Sequence, residues 1–415
     1  MKNRVYYGEY SLKHWIDLML SGNIVLPEYQ REFVWETRDI KRLIKSLKAG
    51  QFIMPVTIAQ YAPNGEVPKN LLLDGQQRLS SILLAWLGYE PQKSKFKESD
   101  SFASEDDSAK EENLVEQNSH KAIAWRFQEV VEFKKRKKDD LIQEIEKDGR
   151  YDKLTDIELT DDILDNTFLG FSYIVPDSKE KDDIQNNFSQ LFRNINYFGK
   201  KLSSLESRKS LYYMNAELKN FFEGKTTNNE GCFGNIKIME DTVAKPIDVV
   251  RYLAILSQQH SGDTPLVGYS AYSSRESFYA DYVSYILGME QEDRVDKFNK
   301  FIFKDTFPDN CWRTRYDNLL VALTTLRPNM QLNDKNAFVS WIDADYWLFG
   351  LIYWIVFKGE NLNDEILEQL CNTIKNTIQK KKSEYSKTPN QLGHTRERVK
   401  ESIDIYENHV HVPAL

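Results

Sequence analysis

Five residues directly follow the apolar triplet at positions 71–73 and combine groups that can bind an anion: Asp74, Gly75, Gln76, Gln77 and Arg78. A helix beginning here would present unpaired N–H groups and the positive end of its dipole. Gly75 lacks the Cβ that would keep a phosphate away from the backbone, and Arg78 has a planar guanidinium that fits phosphate oxygens. Asp74 could hold a metal ion, a ribose hydroxyl or Arg78 itself. An Asp-Gly pair before a helix also commonly makes only the turn, so both interpretations stay open.

A second polar group lies earlier in the chain, between aromatic side chains. Gln30 and Arg31 fall in an irregular segment flanked by Tyr29, Phe33 and Trp35. Polar side chains enclosed by aromatic rings need hydrogen-bonding partners if they are buried. The alternative is a surface loop in which the rings stack on one another.

The hydrophobic pattern predicts the elements that position these residues. Positions 71–73 indicate a buried strand that runs into Asp74, and Val56–Tyr61 indicates another strand. Apolar side chains then recur on one side of a helix that Gly88 closes: Leu79, Ile82, Leu83, Trp86 and Leu87. A helix from about Thr37 is predicted from a similar face, formed by Ile40, Leu43, Ile44 and Leu47. The polar run therefore occupies the turn of a strand–turn–helix unit.

The chain is predicted to have an α+β fold in two domains. Residues 1–223 form a mixed domain with a polar insertion at about 90–121, and residues 235–415 form a mostly α-helical domain. The glycine-rich segment 224–234 is the predicted linker. The run Phe133–Lys138 is strongly basic. It is either a solvated helix face or a contact to a phosphate backbone, and the sequence leaves both alternatives open.

Composition limits the classes of function. A net charge of −8 and a pI of about 5.5 argue against a protein that binds nucleic acid over its whole surface. These values still allow a local basic patch. The three cysteines form no CxxC pair, which predicts free thiols in a reducing compartment. The most apolar segment, Leu348–Phe357, is far shorter than the roughly 20 residues that a bilayer span requires. We therefore expect a cytoplasmic protein that is not associated with a membrane.

Three ordered blocks resemble the N-terminal domain of GmrSD-type and SspE-type restriction and anti-phage proteins. They are LPEYQREFVW at 26–35, LLLDGQQRLSSILLAWLG at 71–88, and a segment at 191–208. The third block matches the family pattern through Phe192, Ile195, Asn196, Gly199, Leu202 and Glu206. The resemblance covers about residues 10–220. It implies a ParB/sulfiredoxin-like fold that binds, and in several members hydrolyses, nucleoside triphosphates.

The resemblance also implies a role for each matching residue. Three positions would be catalytic: Asp74, Gln77 and Arg78. Seven would contact the nucleotide: Tyr29, Gln30, Arg31, Gly75, Gln76, Asn196 and Arg208. Asp74 is in addition the candidate ligand of Mg²⁺.

At the level of the whole protein, the resemblance implies a sensor or regulatory subunit of a DNA-targeting defence system. The family couples such a domain to an HNH nuclease on the same chain or on a partner protein. His409 and His411 match the H-x-x-P element of that nuclease only weakly, and too little sequence follows for the rest of its ββα unit. We expect a nucleoside triphosphatase that acts with a separate nuclease. DNA binding and homo-oligomerisation are both compatible with this role. The alternatives are a non-catalytic module that responds to nucleotide or DNA and, with least support, an autonomous DNase.

Overall fold

The structure is a computed structural model that describes residues 4–27, 33–61, 69–96, 102, 123–157, 159–177, 191, 204–212, 215–233, 236–240, 242–265, 272–289, 297–385 and 391–411. The chain divides into two compact units. Unit 1 comprises residues 1–99 and 114–210, and unit 2 comprises residues 100–113 and 211–415. Unit 1 is built on a mixed sheet and unit 2 is mainly helical, so the predicted α+β fold class is confirmed.

A five-stranded sheet organises unit 1. Its strands are β1 (Arg4–Ser11), β2 (Ile24–Val25), β3 (Val56–Tyr61), β4 (Lys69–Asp74) and β7 (Phe168–Val175), and their order is β1-β7-β3-β4-β2. The β1/β7 and β3/β4 pairs are antiparallel, whereas β3/β7 and β2/β4 are parallel. A separate antiparallel ribbon joins β5 (Tyr89–Pro91) to β6 (Tyr151–Lys153). In the main sheet Thr57 pairs with Asp74, so the end of β4 lies beside the start of β3.

Three helices of unit 1 share an apolar core with the sheet: α1 (Leu12–Leu20), α2 (Thr37–Lys48) and α3 (Gln76–Leu87). The apolar positions that predicted α2 and α3 are buried, apart from Trp86, which is half-buried. Glu36 rather than Thr37 caps α2, and it forms a capping box with Asp39. Further helices are α4 (Gln128–Val131), α5 (Lys138–Asp148), α6 (Asp161–Asn166) and α7 (Ser204–Tyr212), of which residues 211–212 belong to unit 2.

The first strand, β1, lies at the end of the described sheet and is exposed along most of its length. Every residue from Arg4 to Glu9 is exposed, and Tyr7 retains 79% of its accessible surface. The pairing of β1 with β7 continues without a shift from Arg4 to Ser11. Because both faces are exposed, β1 has no hydrophobic alternation, which is why the sequence pattern did not predict it.

Unit 2 consists mainly of helices: α8 (Ala216–Phe222), α9 (Val249–His260), α10 (Tyr272–Ile286), α11 (Phe303–Thr306), α12 (Trp312–Leu326), α13 (Trp341–Ile352), α14 (Leu367–Tyr385) and α15 (Leu392–Glu407). A wider π-type turn, Tyr353–Lys358, extends α13. A small sheet has the order β10-β8-β9, with β8 at Lys237–Glu240, β9 at Val243–Pro246 and β10 at Ala337–Phe338. Two further short strands, β11 (Asn361–Leu362) and β12 (Val410–His411), pair antiparallel. The pattern of a helical second half did not predict these strands.

A buried ionic cluster links three helices of unit 2. Asp345 on α13 accepts two hydrogen bonds from the guanidinium of Arg251 on α9, at 2.7 and 3.0 Å. The same carboxylate accepts from Arg398 Nε on α15 at 2.8 Å and from the Tyr252 hydroxyl at 3.1 Å. All four side chains are buried. The rings of Trp341 and Tyr252 also lie within 5 Å of the Arg251 guanidinium, so the cluster is both bonded and stacked.

Two segments differ from their sequence-based interpretation. The glycine-rich segment expected to be a linker is folded within unit 2 over 224–233, where Lys225 bridges to Gly231 and Cys232 is buried. The polar insertion was expected to begin at residue 90, but residues 89–96 form β5 and a short 3₁₀ turn that ends at the buried Phe96. In both segments turn-forming residues are combined with a few buried side chains, and composition does not reveal which side chains are buried.

Three further expectations concern the basic run, the cysteines and the membrane-spanning segments. Positions 133–137 of the basic run lie in the loop between α4 and α5 and Lys138 begins α5, so the run is not a helix face, and positions 134–137 are exposed. The three cysteines are free, as predicted. Among the helices of the described residues, none has both the length and the apolar character needed to cross a bilayer.

Candidate functional site

Gly75 makes the turn between β4 and α3 possible. It caps α3 with φ +100° and ψ 8°, a conformation that side chains with a Cβ rarely adopt. A Cβ at this position would lie 3.0 Å from Cγ2 and 3.2 Å from Cγ1 of Val56, on the neighbouring strand β3. The glycine is therefore required by its backbone conformation and by contact with Val56, not only by access of a phosphate to the backbone.

Arg78 and Asp74 are bonded to each other across the same turn. Arg78 Nη2 donates to Asp74 Oδ2 at 2.5 Å, one helical turn away. Arg78 Nη1 donates to the carbonyl oxygens of Met54 and, at 3.2 Å, of Pro55, which precede β3. The Arg78 side chain is 12% exposed and that of Asp74 is 45% exposed. Of the open alternatives for Asp74, this structure contains the pairing with Arg78, which holds the start of β3 against α3.

Gln77 joins α3 to the segment that follows the first resemblance block. Its Oε1 accepts hydrogen bonds from the backbone N–H groups of Val34, at 3.0 Å, and Trp35, at 3.3 Å. The side chain is buried, so these two bonds satisfy an acceptor that has little access to water. Tyr29, Gln30 and Arg31 lie outside the described residues. The chain nevertheless reaches α3 only three residues after Arg31, because Val34 is bonded there.

Gln76 is the exception among the polar residues of the turn. It is 4% exposed, and neither its Nε2 nor its Oε1 has a hydrogen-bond partner within the described part of the chain. The hydroxyls of Ser80 and Ser81, one turn further along α3, are also buried without a partner there. A buried amide left without hydrogen bonds costs about 1–3 kcal/mol, so a site of this kind is normally filled by water or by a polar ligand.

The remaining predicted site residues fall in the third block. Arg208 is buried in α7, where it interacts with other residues of the chain. Asn196 lies outside the described residues, as does most of the block before residue 204. Their grouping with Asp74 stays a prediction. Within the described ranges, no three His, Cys, Asp or Glu side chains are grouped so that they could hold a metal ion.

Comparison with known protein families assigns this unit. Residues 12–213 match the family described as the GmrSD restriction endonuclease, N-terminal domain. These residues form a GmrSD-type N-terminal domain. The resemblance inferred from the three blocks is thereby confirmed for these residues, and the matched family is one of restriction endonucleases.

A second similarity is short. An uncharacterized protein of Methanocaldococcus jannaschii is 34% identical over 96 residues, which cover 18% of this chain and 17% of that protein. The alignment therefore spans less than a fifth of the length of this curated relative, and it adds no function to the GmrSD-type domain.

Sequence reasoning missed several groups that shape the site of the GmrSD-type domain. Ser80 and Ser81 were overlooked, although two hydroxyl residues between Leu79 and Ile82 on a buried helix were a detectable signal. The carbonyl groups bonded by Arg78 left no signal, because backbone oxygens are the same in every residue. The contact between Gly75 and Val56 likewise depends on strand pairing that no local pattern records.

Proposed function

We propose that the GmrSD-type domain binds a nucleoside triphosphate at the N-terminus of α3, hydrolyses it, and thereby regulates a DNA-targeting defence system. Gln76 carries this proposal. Its amide is buried at the first turn of a helix, and both of its polar atoms lack partners among the described residues. A donor and an acceptor held ready beside the positive end of a helix dipole fit a polar, anionic ligand.

The proposed division of roles follows from the contacts of each residue. The N–H groups at the start of α3 and the guanidinium of Arg78 hold the phosphates. Tyr29, Gln30 and Arg31 close over the nucleotide from the segment that Gln77 ties to α3 through Val34 and Trp35. Asn196 and Arg208 complete the site from the third block. Asp74, which is about half exposed at the rim of the turn, positions the attacking water.

Asp74 is also the residue that would hold Mg²⁺. A magnesium ion bound to a triphosphate takes one or two protein carboxylates and completes its shell with phosphate oxygens and water. Asp74 offers one carboxylate, of which Oδ2 already bonds to Arg78, and so it fits an ion that arrives with the nucleotide. When bound, Mg²⁺ neutralises phosphate charge. Arg78 and the helix N-terminus do the same from the protein side.

Titration calorimetry with Mg-ATP and Mg-GTP tests the binding site. We expect Gln76→Leu to weaken the preferred triphosphate by about tenfold or more, because a charge-assisted hydrogen bond contributes about 1.5–3 kcal/mol. Gln369→Leu, at an exposed position of α14, is the matched control and should leave affinity unchanged. Wild-type affinity in folded Gln76→Leu protein would contradict the proposal.

A non-catalytic binding module is the second candidate, and one observation favours it. Asp74 and Arg78 are bonded to each other and to the start of β3, which are roles that a purely structural turn would also need. Phosphate release and DNA cleavage measured side by side on the purified protein separate the candidates. Triphosphate binding without phosphate release identifies the module. DNA cleavage by the protein alone identifies the third candidate, an autonomous DNase.

We also propose that the nuclease is a separate HNH protein and that the helical unit mediates assembly with it or with a second copy of this chain. Unit 2 has its own extensive core rich in aromatic side chains, so it is a separately packed body that can carry an interface of its own. Light scattering and pull-down from native host extract, with full-length protein and a protein ending at residue 213, where the family match ends and unit 2 has just begun, provide the test. Identical mass behaviour and identical partners for the two proteins would contradict this role.

A further inference from the structure

The outward face of α2 is a concentrated region of positive charge. The helix Thr37–Lys48 contains five basic residues and one acidic residue, so its net charge is +4 (five minus one). The net charge of the whole chain is −8. The basic residues are Arg38, Lys41, Arg42, Lys45 and Lys48. They alternate with the buried apolar positions, so the helix presents its core side to the sheet and its cationic side to solvent.

Stabilisation of the helix does not explain these charges. Cations near the C-terminus complement the helix dipole, which accounts for Lys45 and Lys48. Arg38 lies in the first turn, where a cation is unfavourable, and the pairs Arg38/Arg42 and Lys41/Lys45 are like charges spaced four residues apart. Arg38 is offset by Asp39 at 3.9 Å, and Lys41 is offset by Asp156 at 3.1 Å. Within the described residues, Arg42 and Lys45 are exposed and form no ion pair.

Two exposed apolar side chains follow the cationic helix directly. Gly50 ends the helix with φ +63°, and the next residues place Phe52 and Met54 at 82% and 64% exposure. Large apolar side chains this exposed are unfavourable in water unless they contact a partner. The loop that carries them is held in place, because Arg78 donates hydrogen bonds to the carbonyl oxygens of Met54 and Pro55.

We propose that α2 and the loop after it form a binding surface for duplex DNA. The basic residues run from Arg38 to Lys48, about 15 Å along a straight helix, which matches the axial rise of about four base pairs. Exposed cations along this line neutralise successive phosphates of one strand. Phe52 and Met54 then contact the bases in the adjacent groove, the role that apolar wedges have in DNA-bending proteins.

This surface goes beyond the proposed nucleotide site and does not depend on it. None of the side chains that would contact DNA belongs to the triphosphate site, and the two share only the loop that Arg78 holds. The binding experiments are therefore carried out without nucleotide. Loss of triphosphate binding would then leave the result for DNA unaffected, and the reverse also holds.

Fluorescence anisotropy of the full-length protein with a labelled duplex, over a series of salt concentrations, tests the phosphate contacts. We expect the double variant R42A/K45A to lower the slope of log K against log salt by about 1.8, because each phosphate contact contributes about 0.9. The matched control K134A/K135A removes the same charge from the exposed basic loop of the same unit. Equal slopes for R42A/K45A and wild type, or equal losses in both double variants, would overturn the proposal.

A second variant tests the apolar contact. Phe52→Ala should weaken duplex binding by at least about fivefold and leave the salt slope unchanged, because it removes a contact to bases and no charge. Tyr7→Ala, which shortens a similarly exposed aromatic side chain on β1, is the control and should bind like wild type. Wild-type affinity of Phe52→Ala would remove the loop from the proposed surface. A single strand bound more tightly than the duplex would overturn the choice of duplex DNA.

Discussion

The guanidinium of Arg78 bonds to groups of the fold in this structure, and the proposed site gives it a second role in holding the phosphates. In this structure it bonds to the Asp74 carboxylate and to two carbonyl oxygens before β3. We expect Arg78→Ala to weaken triphosphate binding by about 1.5–3 kcal/mol, the value of a hydrogen bond to a charged group. Calorimetric titration of folded variant and wild type measures it, with Arg150→Ala as a control in the same unit. Equal affinities would remove Arg78 from the site.

Asp74 allows binding to be separated from turnover. If its carboxylate positions water or Mg²⁺, Asp74→Asn should lower the rate of phosphate release far more than the affinity for nucleotide. Asparagine keeps the shape and one acceptor, so the turn itself should form. The measurement is kcat beside the dissociation constant of the same preparation. A variant with a wild-type rate would show that Asp74 serves only the turn and the pairing with Arg78.

At this scale the sequence identified the residues of the turn but not their partners. Asp74 through Arg78 are recognisable because their types and spacing carry an anion-binding pattern. Gln77, whose catalytic role stays a prediction, has its Oε1 bonded to the backbone of Val34 and Trp35 in this structure. That pairing joins positions more than forty residues apart, and local pattern holds no information on it.

At the scale of elements, the turn from β4 to α3 depends on Gly75. Gly75→Ala should lower the free energy of unfolding by about 1–3 kcal/mol through its positive φ, and further through the contact with Val56. Gly22→Ala is the matched control, because Gly22 also has a positive φ, +70°, but has no atom within 4 Å of the position of a Cβ. Urea unfolding of both variants measures the difference. Equal losses would mean that the contact with Val56 is easily relieved.

The elements that the sequence predicted best are those with one apolar face. For α2 and α3, side chains spaced by three and four residues meet the core, and the helices form where the pattern placed them. The short strands β8, β9 and β10 were missed, because two to four residues are too few to show an alternation. These strands form through pairing that includes positions far apart in the sequence, as between β8 and β10, and a local pattern does not record such pairing.

At the scale of the whole molecule, the buried cluster around Asp345 should control the stability of the helical unit. Asp345→Asn leaves Arg251 and Arg398 buried without their carboxylate, which should cost about 3–5 kcal/mol. Asp404→Asn, at an exposed position of α15, is the control and should be nearly neutral. Urea unfolding followed by circular dichroism measures both. A loss below about 1 kcal/mol for Asp345→Asn would show that the arginines find other partners.

The sequence predicted the general architecture but not this cluster. A mixed first half and a helical second half followed from composition and periodicity, and residues 348–352 are buried in a helix as expected. Asp345 lies three positions before that apolar segment, and its residue type alone does not indicate its role. Its partners lie 94 and 53 positions away, and a buried charge is recognisable as part of a cluster only once its partners are known.

The exposed strand β1 has a consequence for the colloidal behaviour of the protein. Natural sheet edges are commonly protected by lysine, proline or a bulge, and β1 has none of these between Arg4 and Ser11. The net charge of −8 gives copies of the protein a long-range repulsion, which salt screens to about 8 Å at physiological ionic strength. We therefore expect added salt to promote edge-to-edge association and turbidity, so that this acidic protein is stored most safely in dilute buffer.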